Sequence, residues 1–284
     1  MATFYNQASL SYRNTVKISN VTEGEIVSAV ELTKTAASAN YGPGDGVTYA
    51  ISLVNGGTTE INGVTLTDNL GRYTLPDGVT EVVPLSYVEG SILYYLNGTL
   101  EEAPEAAVTD SALVISNLSI PAGGNAIIIY EATANEYAPL AVADSITNTV
   151  TAIGACDTLT ASETVETRNE ALLNIAKAVS PAVITNCSQI TYTFILQNSG
   201  NTDAVATDDV IISDTFNPIF TNITVSLNGE ELTEGADYTY DAATGAFATV
   251  AGVITVPAAT FDRDAEGAVI TTPGVAVVTV VGNL

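Results

Sequence analysis

The sequence repeats itself once, at a constant offset over much of its length. Three pairs of identical residues keep the same spacing: Lys34 and Lys177, Tyr49 and Tyr192, and Asn55 and Asn198. A fourth pair, Asp68 and Asp214, is slightly farther apart because of a small insertion. Since 284 residues give room for two domains of ordinary size, the chain is predicted to hold two copies of one domain.

Each copy is built from short runs in which apolar and polar residues alternate. Residues 47–54 and 190–196 are examples, rich in Val, Ile, Thr and Tyr and followed within two residues by Asn. Such runs predict half-buried β-strands, and no stretch shows a convincing helical period. The predicted fold class is therefore all-β, as two tandem Ig-like β-sandwich domains.

The two copies end differently. In the first, a strand pattern at residues 146–152 follows the one at 125–130, whereas the second ends at Leu284, soon after the matching pattern at 275–281. A segment of similar pattern stands at residues 4–12, where Asn6 precedes Asn148 by nearly the offset of the repeat. The second sandwich is thus predicted to lack its last strand. The predicted domains are 1–20 (donor strand and linker), 21–165 (first sandwich) and 166–284 (second sandwich).

A sandwich without its last strand exposes backbone groups and apolar side chains that are costly to leave unpaired. The N-terminal strand of another copy could fill this groove, with Phe4, Ala8 and Leu10 facing inward. In elongated tandem domains the two chain ends are expected to lie far apart, and the segment 13–30 can extend at most about 60 Å. Donation between chains is therefore favoured over donation within one chain. Because donor and groove are different surfaces, the contact would propagate into a filament. The alternatives are a disordered N-terminus or a fragment of a longer repeat protein.

The chain has only three lysines, and two of them stand at matching places in the opening strand of each copy. With the matching asparagines and aspartates they suggest spontaneous isopeptide bonds between first and last strands. The chemistry needs a lysine amine made neutral by burial, an amide as electrophile, and a protonated carboxyl group to polarise it. The predicted sets are Lys34, Asp68 and Asn148 within the first domain, and Lys177, Asp214 and Asn6 of the next subunit.

Two other readings stay open for these residues. The lysines could be exposed strand residues, and Asn and Asp could shape turns. Glu131 is a rival for the carboxyl role in the first domain, but the second copy has no acidic match for it, so the aspartates are preferred.

The composition excludes several classes of function. With 32 acidic and 7 basic residues the net charge is −25, which argues against binding nucleic acid or anionic membranes. The chain has no His, the commonest general base and metal ligand, so neither an enzyme beyond self-cross-linking nor a cofactor or metal site is predicted. The two cysteines, Cys156 and Cys187, could form a disulfide at the domain junction or remain two free buried thiols.

Several sequence segments resemble the bacterial conserved repeat domain, known as domain of unknown function eleven. These segments are residues 32–35, 47–49, 64–70, 120–123 and 146–151. The resemblance covers nearly the whole chain in two copies. It implies Ig-like sandwiches on bacterial surfaces, often in tandem arrays. The chain departs from the family pattern in its displaced last strand and in showing no anchor, which favours a free polymer over a cell-wall-anchored protein.

Together these features predict a structural subunit of an extracellular filament, whose partners are other copies of itself, with no membrane insertion. No signal peptide is visible, and no apolar run is long enough to span a membrane. The expected location is therefore a cell surface, or a spore surface reached without a signal. The alternative function is a monomeric cell-surface adhesin or binding module.

Overall fold

The structure is a computed structural model that describes residues 2–13, 15–26, 30–109, 111–155, 157–183 and 189–284. Within these ranges the regular structure is β-strand, apart from one 3₁₀ turn at Ala206–Asp208. The predicted all-β sandwich class is confirmed. No helix in the described ranges is long and apolar enough to cross a membrane. Two compact units form the chain: Met1–Tyr137 with Ile146–Val165, and Ala138–Ser145 with Glu166–Leu284.

The N-terminal hairpin, as we call it, is formed by residues 2–13 and 15–26. Its strands are β1 (Ala2–Asn6), β2 (Ser9–Tyr12), β3 (Thr15–Ile18) and β4 (Thr22–Ile26). β1 pairs antiparallel with β4, and β2 with β3. The segment 15–26, expected to lead into the first sandwich, thus pairs with the predicted donor strand of its own chain. The boundary expected between residues 20 and 21 falls within this hairpin.

The first sandwich follows. Its strands are β5 (Val30–Ala36), β6 (Asn40–Tyr41), β7 (Gly46–Asn55), β8 (Ile61–Asp68), β9 (Tyr73–Thr74), β10 (Glu81–Val82), β11 (Leu85–Tyr87), β12 (Leu93–Leu96), β13 (Thr99–Glu101), β14 (Ala106–Thr109), β15 (Ala112–Ile120), β16 (Asn125–Ala134), β17 (Ser145–Ala155) and β18 (Asp157–Thr167). One sheet has the order β13-β12-β16-β7-β5, with β11 also on β16, and the other has the order β14-β15-β8-β17-β18-β6. Alternate side chains of both sheets, such as Ile51, Leu66 and Ile128, fill the core between them.

The second sandwich has fewer strands. They are β19 (Leu173–Ser180), β20 (Gln189–Asn198), β21 (Ser213–Thr215), β22 (Asn222–Leu227), β23 (Glu230–Glu231), β24 (Tyr238–Asp241), β25 (Ala246–Thr249), β26 (Thr260–Arg263), β27 (Val269–Thr272) and β28 (Gly274–Asn283). Its sheets have the orders β19-β20-β28-β22-β23 and β21-β25-β24, beside a β26-β27 hairpin. A core rich in aromatic side chains, including Phe194, Phe216 and Phe247, lies inside.

The two sandwiches match at the level of single hydrogen bonds. Asn55 and Asn198 are both buried, and the Oδ1 atom of each accepts a hydrogen bond from the backbone N–H two residues later. Each Nδ2 atom donates to two carbonyl oxygens, those of Thr59 and Ile120 in the first sandwich and Thr202 and Val256 in the second. These equivalent bonds show that the sequence repeat is a structural repeat.

One sheet differs between the copies. In the first sandwich β8 lies between β15 and β17, whereas its counterpart β21 pairs with β25 on one side and with no strand on the other among the described residues. The described part of the second sandwich thus has no counterpart of β17, as the sequence predicted. We call this side of β21 the open edge.

Candidate cross-linking site

Three of the predicted site residues meet in the core of the first sandwich, because each stands at an inward position of its strand. Lys34 shares the buried face of β5 with Val30, Asp68 ends the buried face of β8, and Asn148 lies on β17 between the buried Ile146 and Val150. The side chains of Lys34 and Asp68 are completely shielded from solvent. Strand alternation alone therefore places an amine, a carboxyl group and an amide in one apolar interior.

A tyrosine joins these groups. Tyr130, on β16, accepts a hydrogen bond at its hydroxyl from Lys34 Nζ (2.9 Å) and another from Asn148 Nδ2 (2.9 Å), and it donates to Asp68 Oδ2 (2.7 Å). Lys34 Nζ also contacts Asp68 Oδ2 directly, as an ion pair. We call Lys34, Asp68, Tyr130 and Asn148 the lysine cluster.

Burial changes the proton affinities in the cluster. It lowers the pKa of Lys34 below the ordinary 10.5, although the charge of Asp68 acts in the opposite direction. Burial, together with the charge of Asp68, raises the pKa of Tyr130 well above its ordinary 10.0. The lysine is thus shifted toward the neutral amine, while the tyrosine keeps its proton and remains a donor.

The amide of Asn148 is only half satisfied. Its Oδ1 atom is buried and has no hydrogen-bond partner among the described residues. Leaving a buried acceptor unpaired costs about 1–3 kcal/mol, so such atoms are rare outside functional sites. The unpaired carbonyl belongs to the carbon atom that a lysine amine would attack.

The structure also places the rival carboxyl group. Glu131 follows Tyr130 on β16, points to the opposite face of the sheet and is exposed. It therefore lies away from the lysine cluster. Glu163, on β18, is close enough for its charge to raise the proton affinity of Lys34, which sequence reasoning did not anticipate.

The second predicted set is only partly assembled. Lys177 on β19 forms an ion pair with Asp214 on β21, and its Nζ lies 4.3 Å from the ring centroid of Tyr192. Lys34 Nζ lies 4.6 Å from the ring of the equivalent Tyr49. The lysine side chain, however, is 40% exposed in the second sandwich. The two sites thus share a geometry, but the second is not covered.

The tyrosine of the cluster is not repeated. Tyr130 lies opposite Tyr49 in the first sandwich, and the residue opposite the equivalent Tyr192 is Val280. Comparing the two copies therefore could not identify Tyr130 as a site residue. In the sequence alone, Tyr130 is indistinguishable from any other aromatic residue of the core. The signal that could have found it was its position two strands from Lys34, on the same buried face.

The fourth predicted cross-linking residue, Asn6, lies in the N-terminal hairpin opposite Thr22 and is exposed. The predicted donor residues Phe4, Ala8 and Leu10 are exposed there as well. The structure of one chain therefore does not bring Asn6 to Lys177. The predicted disulfide lies outside the described residues, since Cys156 and Cys187 both do.

No protein-family model matches the chain, and no curated protein does, so the resemblance to the conserved repeat family stays a prediction. The similar solved structures include bacterial surface proteins and a pilin, but also a family 123 glycoside hydrolase from Clostridium perfringens.

One is the BspA C-terminal domain of the Streptococcus agalactiae AgI/II polypeptide, 13% identical, covering 89% of this chain and 91% of that one with a TM-score of 0.34. Another is BcpA, the major pilin subunit of Bacillus cereus, 11% identical, covering 96% and 73% with a TM-score of 0.35. A third is the collagen-binding subdomain ACE19 of the Enterococcus faecalis surface protein ACE, 10% identical, covering 51% and 100% with a TM-score of 0.29. At these low TM-scores and identities, the likenesses carry no argument about function.

Proposed function

We propose that this protein is a structural subunit of an extracellular bacterial filament, which polymerises head to tail by strand donation and welds itself with Lys–Asn isopeptide bonds. The observation that carries the proposal is the lysine cluster, in which an amine, a carboxyl group and an amide are buried around one hydroxyl. Burying a lysine without need is expensive, so a cluster of this kind calls for a chemical reason.

The proposed reaction needs no external reagent. Lys34 passes a proton to Asp68, and the neutral Nζ attacks Cγ of Asn148. The Nζ–Cγ bond forms, the Cγ–Nδ2 bond breaks, and Nδ2 leaves as ammonia with the proton that Nζ gives up. Tyr130 contacts all three groups, so it relays that proton toward Nδ2. The product is an amide that ties β5 to β17.

Strand donation is supported by the register of the first sandwich. There Val150 lies opposite Asp68, and Ala152 opposite Leu66. Matching Asn6 to Asn148 at the open edge places Ala8 opposite Asp214.

The rest of the donor strand follows the same match. Leu10 falls opposite Ile212, and Phe4 takes the place of the buried Ile146. All three predicted donor residues therefore occupy inward positions. Asn6 falls at the place from which Asn148 reaches the lysine, so the incoming strand supplies the missing amide to Lys177.

An extracellular place, on a cell or spore surface, is proposed with this function. A self-made covalent bond is useful where a polymer must persist without repair. The acidic composition suits a soluble surface that repels copies of itself outside the specific contact.

The second candidate is a monomeric adhesin or binding module of a repeat stalk. It is favoured only by the first sandwich, which is complete within the chain and needs no partner for its cross-link. In this reading Lys177 stays unreacted.

Intact mass and denaturing electrophoresis test the proposal together. Filaments boiled in detergent should run as a ladder, and each subunit within them should have lost two molecules of ammonia, one per bond. A chain without residues 1–12 should stay monomeric and lose one ammonia, since only Lys34 then has its partner. A single band at the unmodified mass contradicts the covalent bonds, and filaments from the shortened chain contradict strand donation.

A further inference from the structure

From the two sheet orders we infer that the donated element is the whole N-terminal hairpin, β1 to β4, of a second copy of this chain, and not a single strand. This inference rests on the proposed head-to-tail assembly. In the first sandwich the sheet continues past β8 with two strands, β17 and β18, before it reaches β6. The described part of the second sandwich stops at β21. Two antiparallel strands, one hairpin, are therefore needed to match the first sheet.

Where β1 pairs with β4, the N-terminal hairpin can be matched residue by residue to the β17–β18 pair; nearer its turn, where β2 pairs with β3, its register is shifted by one residue. Side-chain hydrogen bonds of 2.8 Å join Thr147 to Thr164 and Thr149 to Ser162, so Asn148 lies opposite Glu163. In the N-terminal hairpin Asn6 lies opposite Thr22.

The next inward pair follows by the same alternation. It is Ile146 with Val165 in the first sandwich and Phe4 with Gly24 in the hairpin. Superposing the asparagines thus superposes β1 and β4 on the matching parts of β17 and β18, while β3 is offset by one residue.

The inward pair Phe4 and Gly24 replaces two side chains of medium size, Ile146 and Val165, with one large residue and one without a side chain. Ile146 and Val165 are both buried in the first sandwich. In the hairpin the ring of Phe4 lies over Gly24, where an added Cβ would come within 2.5 Å of Phe4 Cζ. A larger side chain on one strand is thus accommodated by a smaller one on the other. This compensation fits two strands that enter the groove together.

The uncovered surface of the second sandwich also fits a hairpin. Leu173 on β19 is 38% exposed, whereas its counterpart Val30 on β5 is buried. Val165, on β18, is fully buried in the first sandwich, so the second strand of that pair contributes to the core as well as the first.

Charge does not oppose the docking. The segment 1–26 carries two bases, Arg13 and Lys17, and two acids, Glu23 and Glu25, so its side chains have no net charge in a chain of net charge −25. The hairpin is therefore a neutral element that can approach an acidic partner without repulsion.

Hydrogen exchange of the full chain tests the inference. The reference is the Leu10→Asp chain, which should stay monomeric because a carboxylate replaces an inward apolar group. In filaments of the natural chain, the amides of both 2–12 and 15–26 should exchange about 100-fold more slowly than in that reference. Slow exchange of residues 2–12 alone would overturn hairpin donation and leave strand donation standing. Unchanged exchange in both segments would overturn the proposed assembly itself.

A pair of variants gives a second test. Thr22 lies on the inward face beside the place of Lys177, and Glu23 next to it points outward, where it accepts a hydrogen bond from Tyr5. Thr22→Arg should reduce the rate of filament growth at least about tenfold through repulsion from Lys177, whereas Glu23→Arg should leave growth nearly unchanged. Equal growth of the two variants contradicts a donated second strand.

Discussion

At the scale of single residues, the lysine cluster combines groups that are costly to bury separately. The hydroxyl of Tyr130 satisfies Lys34, Asp68 and Asn148 at once, which leaves only the Asn148 carbonyl oxygen unpaired within the cluster. Low local polarity strengthens each of these contacts and favours the neutral amine. The arrangement holds an amine and an amide on one hydroxyl in a buried site.

The first prediction concerns the proton relay. Tyr130→Phe should slow the loss of ammonia from the refolding chain by about 100-fold, the usual worth of a positioned proton donor. The matched control is Tyr94→Phe, which removes another tyrosine hydroxyl of the same sandwich, one that bonds to the carbonyl of Ser119. Timed intact-mass spectra measure both rates. Equal rates would show that Tyr130 only fills space.

The second prediction concerns pH. In an Asn148→Ala chain, which cannot form the bond, Lys34 keeps a pKa lowered by burial. Between that lowered value and 10.5 the unfolded chain binds more protons than the folded one, so the free energy of unfolding should rise with pH in this window. The control, Asn148→Ala with Lys34→Met, should lack this rise. Denaturant titrations at several pH values measure the difference, and parallel curves for the two chains contradict a lowered pKa.

At the scale of strands, the residues that occur in both copies of the repeat could be predicted, and features present in one copy only could not. Lys34, Asp68 and Asn148 could be predicted because each has a counterpart at a nearly constant offset. Tyr130 has none, since Val280 takes its place. The strand pairing of residues 15–26 was not predicted because Thr22-Glu-Gly-Glu lacks the apolar alternation of a buried strand. Its pairing with β1 depends on contacts distant in sequence.

The third prediction concerns the two faces of β2. Leu10 corresponds to the fully buried Ala152, and Ser11 corresponds to an outward position. Leu10→Asp should abolish filaments, since an unpaired carboxylate in an apolar groove costs several kcal/mol. Ser11→Asp should still polymerise. Electron microscopy and sedimentation of the two chains give the comparison, and filaments from the Leu10 variant contradict the assigned inward face.

At the scale of the whole molecule, charge governs how copies approach one another. Thirty acids and five bases lie beyond the hairpin, so two chains repel each other at long range while the hairpin itself is neutral. In the proposed assembly, lateral clumping is thereby opposed, and contact through the neutral hairpin is the approach with the least repulsion.

The fourth prediction follows from this repulsion. Raising the ionic strength from about 10 to 150 mM shortens the screening length from about 30 to 8 Å, so filaments should grow faster. The bond between Lys34 and Asn148 is buried, so its rate of formation should not change with salt. Light scattering follows growth and mass spectrometry follows the bond. Slower growth in salt would mean that opposite charges attract across the contact.

Lys34 lies on β5, the first strand of its sandwich, and Asn148 lies on β17, the last strand but one. This placement has a mechanical consequence. If the two are joined, a pull on the chain enters at β5, crosses one amide and leaves through β17. The residues between them then carry no tension, and the sheets are not sheared apart however hard the filament is stretched. A thread made in this way would resist extension with covalent bonds, while its folded cores serve only to bring the reacting groups together.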